Sequence, residues 1–227
     1  MIVYGRNAVR EALRGRRRVT RIWADSSAAR EPWVGDQTVE QAAPADLESL
    51  CGSPDHQGIC ADAGDYPYAH APGLLQAESA LVIVLDEVQD PRNLGAVCRV
   101  AETAGAAGVV IPERRAAQVT PVVCKTSAGA VEHLDVARVR NVADYLASSR
   151  EAGAWIYGAD ADGIPYDRPD YSGRKVLVLG SEGRGLRPRV AKACDELIAL
   201  PMRGKVGSLN VSAAAAALVY GILQFDR

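Results

Sequence analysis

Hydrophobic positions follow two regimes along the chain. From residue 80 onward, short unbroken apolar runs recur at 81–85, 108–111, 154–158, 176–179 and 197–200. A continuous run of that length, bounded by glycine or polar residues, predicts a strand covered on both faces, as in a parallel sheet. Between the runs, apolar residues fall at helical spacing. Residues 94–104 place Val97, Val100, Ala101 and Ala104 on one face, with Gly105 as a stop. Residues 141–152, 186–194 and 208–224 also predict helices, the last with a smooth surface at Ala213 to Ala217. Strands alternating with helices imply an α/β domain with right-handed crossovers.

The first third has a weaker pattern. Residues 7–14 predict a helix with Asn7 as its N-cap, 19–24 and 58–63 predict strands, and 45–51 a second short helix. Residues 64–80 carry Pro67, Pro72, Gly64 and Gly73 without a period, the mark of a linker. The expected division is therefore a small α/β module over 1–70, a linker over 71–79 and a larger domain over 80–227.

Composition narrows the class without identifying it. In 227 residues, 48% are hydrophobic and 24% charged, as in an ordinary globular protein. No apolar stretch is long enough to span a membrane, and the start lacks a signal-peptide pattern. Five cysteines without a Cys-x-x-Cys pair predict reduced thiols of a cytoplasmic protein, and three scattered histidines predict no metal site. The net charge of −2 argues against indiscriminate coating of nucleic acid, yet seven arginines and one acid lie between Arg6 and Arg21. Such a run is either a solvated helix face or a phosphate-binding patch, for which guanidinium geometry is suited.

Three polar, glycine-bearing clusters stand where strands should hand over to helices. They are residues 90–99 (Asp-Pro-Arg-Asn-Leu-Gly-Ala-Val-Cys-Arg), 179–186 (Leu-Gly-Ser-Glu-Gly-Arg-Gly-Leu) and 200–212 (Leu-Pro-Met-Arg-Gly-Lys-Val-Gly-Ser-Leu-Asn-Val-Ser). In open α/β sheets, ligands bind just beyond the carboxyl ends of the strands. The glycines at 180, 183 and 185 suit either a phosphate or nucleotide loop or a tight strand-to-helix turn. A Rossmann fingerprint fits poorly and a Walker loop is excluded, because no Gly-Lys-Ser/Thr follows. Asn93 is expected to cap the helix after the first cluster. Arg99, set among apolar residues, needs a partner if buried, and Glu182 or a phosphate would serve. Ser208 can cap the last helix, whereas Asn210 and Ser212 compete with its backbone bonds.

In this order and spacing the clusters resemble the three signature motifs of the SpoU-type (TrmH-like) RNA ribose 2′-O-methyltransferases of the SPOUT superfamily. The Lys125 to Ala130 segment is similar to that family's Ser-Ala-Gly-Ala stretch. The start, Tyr4 to Leu13 with His56-Gln57-Gly58-Ile59, resembles the small RNA-binding domain of its members that methylate large-subunit ribosomal RNA. The resemblance implies a SPOUT-type parallel sheet with a C-terminal deep trefoil knot behind a small α/β RNA-binding domain. It implies S-adenosylmethionine as cofactor, held at Leu179, Gly180, Leu200, Met202, Leu209 and Thr126. Arg99 would be the catalytic arginine, with Asn93, Glu182, Ser208 and Asn210 completing the site. Arg6, Arg10, Arg16, Arg17 and Arg18 would bind RNA, and a homodimer would pack through the last helix. The expected target is a guanosine of 23S ribosomal RNA. A transfer RNA enzyme, an antibiotic-resistance ribosomal RNA enzyme and an inactive RNA-binding or assembly protein stand as alternatives.

Overall fold

A computed structural model describes residues 1–225. Two sheets carry the chain. The first comprises β1 (Ile2–Tyr4), β2 (Arg21–Ala24), β3 (Glu40–Gln41) and β4 (Ile59–Asp62), in the order β1-β4-β2-β3. Its helices are α1 (Arg6–Arg14) and α2 (Pro44–Cys51). β4 runs antiparallel to both β1 and β2, and the two-residue β3 adds a parallel edge.

The second sheet has six strands, all parallel, in the order β10-β8-β9-β5-β6-β7. Along the chain its elements are β5 (Leu81–Asp86), α3 (Pro91–Thr103), β6 (Gly108–Pro112), α4 (Pro121–Thr126) and β7 (Val136–Val139). There follow α5 (Val142–Glu151), β8 (Trp155–Pro165), β9 (Lys175–Gly180), α6 (Pro188–Ala191), β10 (Glu196–Ala199) and α7 (Val211–Phe225). Every residue of β5 is buried, and its side chains alternate between two apolar layers. Leu81, Ile83 and Leu85 join the layer of α3 and α7, while Val82 and Val84 face that of α5. After β7 the chain crosses to the other side of β5, so strand order reverses between β5 and β9. That reversal opens a crevice at the strands' carboxyl ends.

The parallel α/β architecture is thus the one the apolar runs predict. Several local expectations give way. Helix α1 begins at Arg6 behind Gly5, whose φ of 89° only glycine adopts freely, so Asn7 lies inside the helix. In the stretch 186–194 only Pro188–Ala191 is helical. Strands β1, β3 and β7 and helix α4 were not predicted, β7 because its exposed Arg138 interrupts the apolar pattern.

Residues 64–80 are no free tether. Ala71, Leu74 and Leu75 are buried, and the Ala69 amide donates to Val136 O at 2.9 Å. The Tyr66 hydroxyl lies 2.9 and 3.1 Å from the carbonyl oxygens of Val131 and Leu134. One apolar cluster runs from Val3, Val9 and Ile59 through to Val97, Val131 and Leu179, joining both sheets.

Arg17 fastens that junction. Its guanidinium pairs in two places with the Glu132 carboxylate, with Nε–Oε2 at 2.8 Å, and the two side chains are only 3% and 0% exposed. Burial works to lower the Arg17 pKa, but the Glu132 hydrogen bond and charge outweigh it and raise it. Arg17 is therefore unavailable to RNA. Arg16 pairs with Asp135 at 2.7 Å, Arg10 with Glu11 at 2.8 Å, and Arg6 with Glu31 at 2.5 Å. The arginine run chiefly holds the chain to itself. Of the five expected RNA ligands, Arg18 alone is exposed and without an acidic partner among the described residues.

Candidate active site

The carboxyl ends of β8, β9 and β10 and the start of α7 enclose a cavity of about 640 Å³. Leu179, Gly180, Leu200, Met202 and Leu209 all line it, with Ser208, Glu182 and Asn210. The chain therefore brings together five of the six residues expected to hold a cofactor. Thr126 is the exception. Its hydroxyl donates to Val122 O at 2.9 Å, and the side chain packs on Gly95 at the junction of α3 and α4, away from the cavity. Ala159, Asp160, Ile198, Ala214 and Leu218 also line it, none of them expected there from the sequence.

Glycine is required in this wall for a specific reason. A Cβ on Gly180 would fall on the backbone of Gly185 and Leu186. The loop closes on itself there, with Gly185 N donating to Ser181 O at 2.9 Å and Ser181 N to Gly185 O at 3.2 Å. Gly183 and Gly185 turn through φ of 78° and 64°, left-handed values that suit glycine.

Three polar side chains from the three motifs converge beside the cavity. The Asn93 amide donates to Glu182 Oε1 at 2.9 Å, and the Asn210 amide donates to the same oxygen at 2.5 Å. Asn210 Nδ2 also lies 3.0 Å from Asn93 Oδ1. Asn210 Oδ1 accepts from the Ser212 amide at 2.9 Å, so Asn210, rather than Ser208, caps α7. Asn93 is free for its role because Asp90 caps α3, accepting from the Arg92 amide at 2.7 Å. Glu182 Oε2 has no protein partner among the described residues and is open to a ligand.

A brace the sequence reading missed sits behind this group. Asp86, buried at the end of β5, receives the Arg187 backbone amide at 2.9 Å and its Nε at 2.8 Å. The Asp86 hydrogen bond, ahead of a smaller opposing burial effect, raises the Arg187 pKa. A charge closing an apolar run was the available signal.

Arg99 is exposed, outside the buried face of α3, and it does not touch Glu182, so the condition under which it would need an internal partner does not arise. The carboxylate is already taken by two asparagine amides. The Arg99 guanidinium has no protein partner among the described residues and opens to solvent beside α7, where Tyr220 OH donates to Thr103 Oγ1 at 3.2 Å. Thiol chemistry is disfavoured nearby, since burial pushes Cys98 up and Cys124 up to about 12. Among the described residues there is no cluster of metal-ligating side chains, and no helix is long and apolar enough to cross a membrane.

Comparison with known proteins gives concordant matches. Residues 80–220 match the family model described as SpoU rRNA Methylase family, and residues 2–69 match that for RNA 2′-O ribose methyltransferase substrate binding. The chain is 38% identical over 235 residues to YacO of Bacillus subtilis (strain 168), assigned to the TrmH family of tRNA/rRNA methyltransferases; the match covers 97% of this chain and 94% of that protein. A tRNA/rRNA methyltransferase of Synechocystis sp. is 39% identical over 246 residues, covering 100% of this chain and 64% of its own length. The SpoU methyltransferase AviRb from Streptomyces viridochromogenes, solved in complex with AdoMet, superposes with a TM-score of 0.84 at 25% identity, over 99% of this chain and 89% of that one. A TrmH-family protein from Porphyromonas gingivalis gives 0.78 at 28% identity, over 100% and 89%.

Proposed function

Because the chain belongs to the SpoU rRNA methylase family of RNA methyltransferases, we propose that it transfers a methyl group from S-adenosylmethionine to a ribose 2′-hydroxyl, in large-subunit ribosomal RNA. The observation that carries this reading is the meeting of Asn93, Glu182 and Asn210 at the mouth of a glycine-walled cavity. The cavity suits the cofactor. Its volume of about 640 Å³ falls inside the range of roughly 300–1,000 Å³ typical of small-molecule sites. Leu179, Leu200, Met202 and Leu209 offer apolar walls, and Gly180 lets backbone come close. When bound, the cofactor would supply a methyl group activated on a sulfonium, and the demethylated remainder would depart as a neutral thioether.

The protein must then orient one hydroxyl and remove one proton. Glu182 Oε2 is open to accept the hydrogen of the 2′-hydroxyl, while two asparagine amides on Oε1 fix the carboxylate's direction. Asn210 acts as a positioning residue, since its own amide and carbonyl are both occupied. Ser208 lies on the cavity wall, and its hydroxyl, without a hydrogen-bond partner among the described residues, is placed to orient the ribose. The role of Arg99 is to clamp the phosphate beside the target ribose and stabilise the developing alkoxide.

The trefoil knot belongs to the same proposal. After β10, residues 200–210 return to the loop that left β9, and α7 then packs on α3 and β9. A homodimer through α7 is supported by its exposed stripe of Ala213, Ala217 and Tyr220. The module at residues 2–69, matched to a substrate-binding model of RNA 2′-O ribose methyltransferases, supports an RNA target, and the rRNA methylase description of the family matched by residues 80–220 favours a ribosomal one. Mapping ribose methylation in both RNA classes from a strain lacking this protein tests the reading. One missing 2′-O-methyl mark in large-subunit ribosomal RNA is the expected result. Unchanged ribosomal RNA with a missing mark in transfer RNA would move the target, and no missing mark in either would overturn the activity.

A further inference from the structure

Of the arginines nearest the N-terminus, most are engaged in internal ion pairs and Arg18 is not; a second basic cluster is also largely unpaired. Residues 113–116 form the turn leaving β6 at the carboxyl edge of the parallel sheet. Arg114 and Arg115 are exposed there and have no acidic partner among the described residues. The β6–β7 register pairs Pro112 with Val139, and the Glu113 amide donates to Val139 O at 2.9 Å. Arg140, whose side chain is 93% exposed, therefore stands beside the same turn. Among the described residues its only acidic partner is Glu113, at 3.9 Å. An exposed pair at that distance contributes little and yields readily to a competing anion.

The turn is rigidly built. Gln118 reaches back to donate to Pro112 O at 3.0 Å, and the Ala117 amide donates to Val88 O at 2.9 Å. Arg115 is held at a φ of 58°, a conformation most side chains avoid. Below it, Arg138 stacks 4.0 Å from the centroid of Tyr68, whose hydroxyl accepts from the Val119 amide at 2.9 Å. The Val88 contact joins this turn to the loop carrying Asp90 and the start of α3, and thence to Asn93. Strand β6 lies two places from β9 in the sheet, so the turn is about 10 Å along the edge from the Gly180 column.

We propose that Arg114, Arg115 and Arg140 form a phosphate-binding edge of the catalytic sheet, gripping the RNA backbone that flanks the target nucleotide. The inference rests on the RNA-methyltransferase reading above and assigns the electrostatic grip to the larger domain. Nearby acids are spoken for: Asp86 and Glu87 hold Arg187, and Asp90 caps α3. The turn thus presents an excess of free positive charge in a fixed geometry, as phosphate recognition requires.

The test compares the full-length protein with R114A/R115A/R140A and R114K/R115K/R140K, using transcribed large-subunit ribosomal RNA as the probe. Affinity is measured across salt concentrations, and S-adenosylmethionine affinity by calorimetry. The alanine variant should bind RNA roughly tenfold or more weakly near physiological salt, with a log–log salt slope shallower by about two. Its cofactor affinity should be unchanged, and the lysine variant should keep most of the slope. An alanine variant with the parent's RNA affinity and slope overturns the proposal. So does one that loses cofactor and RNA binding together, because the arginines would then serve the fold. Absence of salt-dependent RNA binding by the parent protein would instead remove the reading on which the inference rests.

Discussion

Asn210 and Asn93, 117 residues apart, lie with Nδ2 and Oδ1 at 3.0 Å and share one oxygen of Glu182. The first, second and third motifs are thereby fixed to each other through these side chains. Replacing Asn210 by alanine removes two of the three bonds and the cap of α7. A lost cap costs about 1 kcal/mol. The methyl-transfer rate should fall by roughly 10²–10³, while N210D keeps the cap and loses the donor. Single-turnover transfer from tritiated S-adenosylmethionine measures both. An N210D rate equal to the parent's would remove Asn210 from the mechanism.

The Arg99 guanidinium has no hydrogen-bond or ion-pair partner among the described residues, so its removal should leave stability nearly unchanged. R99A should abolish methylation yet keep cofactor affinity, and R99K should recover part of the rate. Calorimetry beside a methylation assay separates the two. Equal loss of cofactor binding and transfer would point to a structural role.

Gly180 faces the backbone of Gly185 and Leu186 with no room for a methyl group. G180A should cost about 1–3 kcal/mol through overpacking, and it should weaken cofactor binding more than G204A, where an added Cβ meets nothing within 4 Å. Comparable affinities for the two variants would contradict a backbone-lined site.

Breaking the buried Arg17–Glu132 pair leaves a charge without compensation. R17M should lose about 3–5 kcal/mol in urea unfolding, and R17M/E132L should regain much of it. A double variant no more stable than the single would mean that packing, rather than charge, sets the cost.

Acid should loosen the same junction. Burial acts to raise the Glu11 pKa, but hydrogen bonds from His133, at 2.9 Å, and from Arg10 prevail and hold it below the usual carboxylate range. The carboxylate's stabilisation is thus complete above its unfolded value and fades as pH falls through the lowered folded value. Hydrogen exchange at residues 129–133 should accelerate below about pH 4.5 in the parent and depend less on pH in E11Q. Identical profiles would exclude Glu11.

The sequence made the parallel sheet legible because fully buried strands leave unbroken apolar runs, as Leu81 to Leu85 shows. It also exposed the three motifs, since glycines and amides between buried elements stand out. Caps were harder to assign. Asp90 precedes Pro91, and an aspartate before a proline at the first helical position is the stronger start signal, which released Asn93 for Glu182. The arginine run misled because its partners lie far along the chain. Glu132 is 115 residues from Arg17 and Asp135 is 119 from Arg16, separations that no local pattern reports.

The apolar cluster shared by both sheets has a mechanical consequence. With Val9 and Ile59 embedded in the same interior as Val97 and Leu179, the span from the N-terminal module to the cavity is set like the jaws of a fixed caliper. On the function proposed above, an RNA spanning both would be measured against a constant gauge, with the bending that seats its ribose supplied by the nucleic acid.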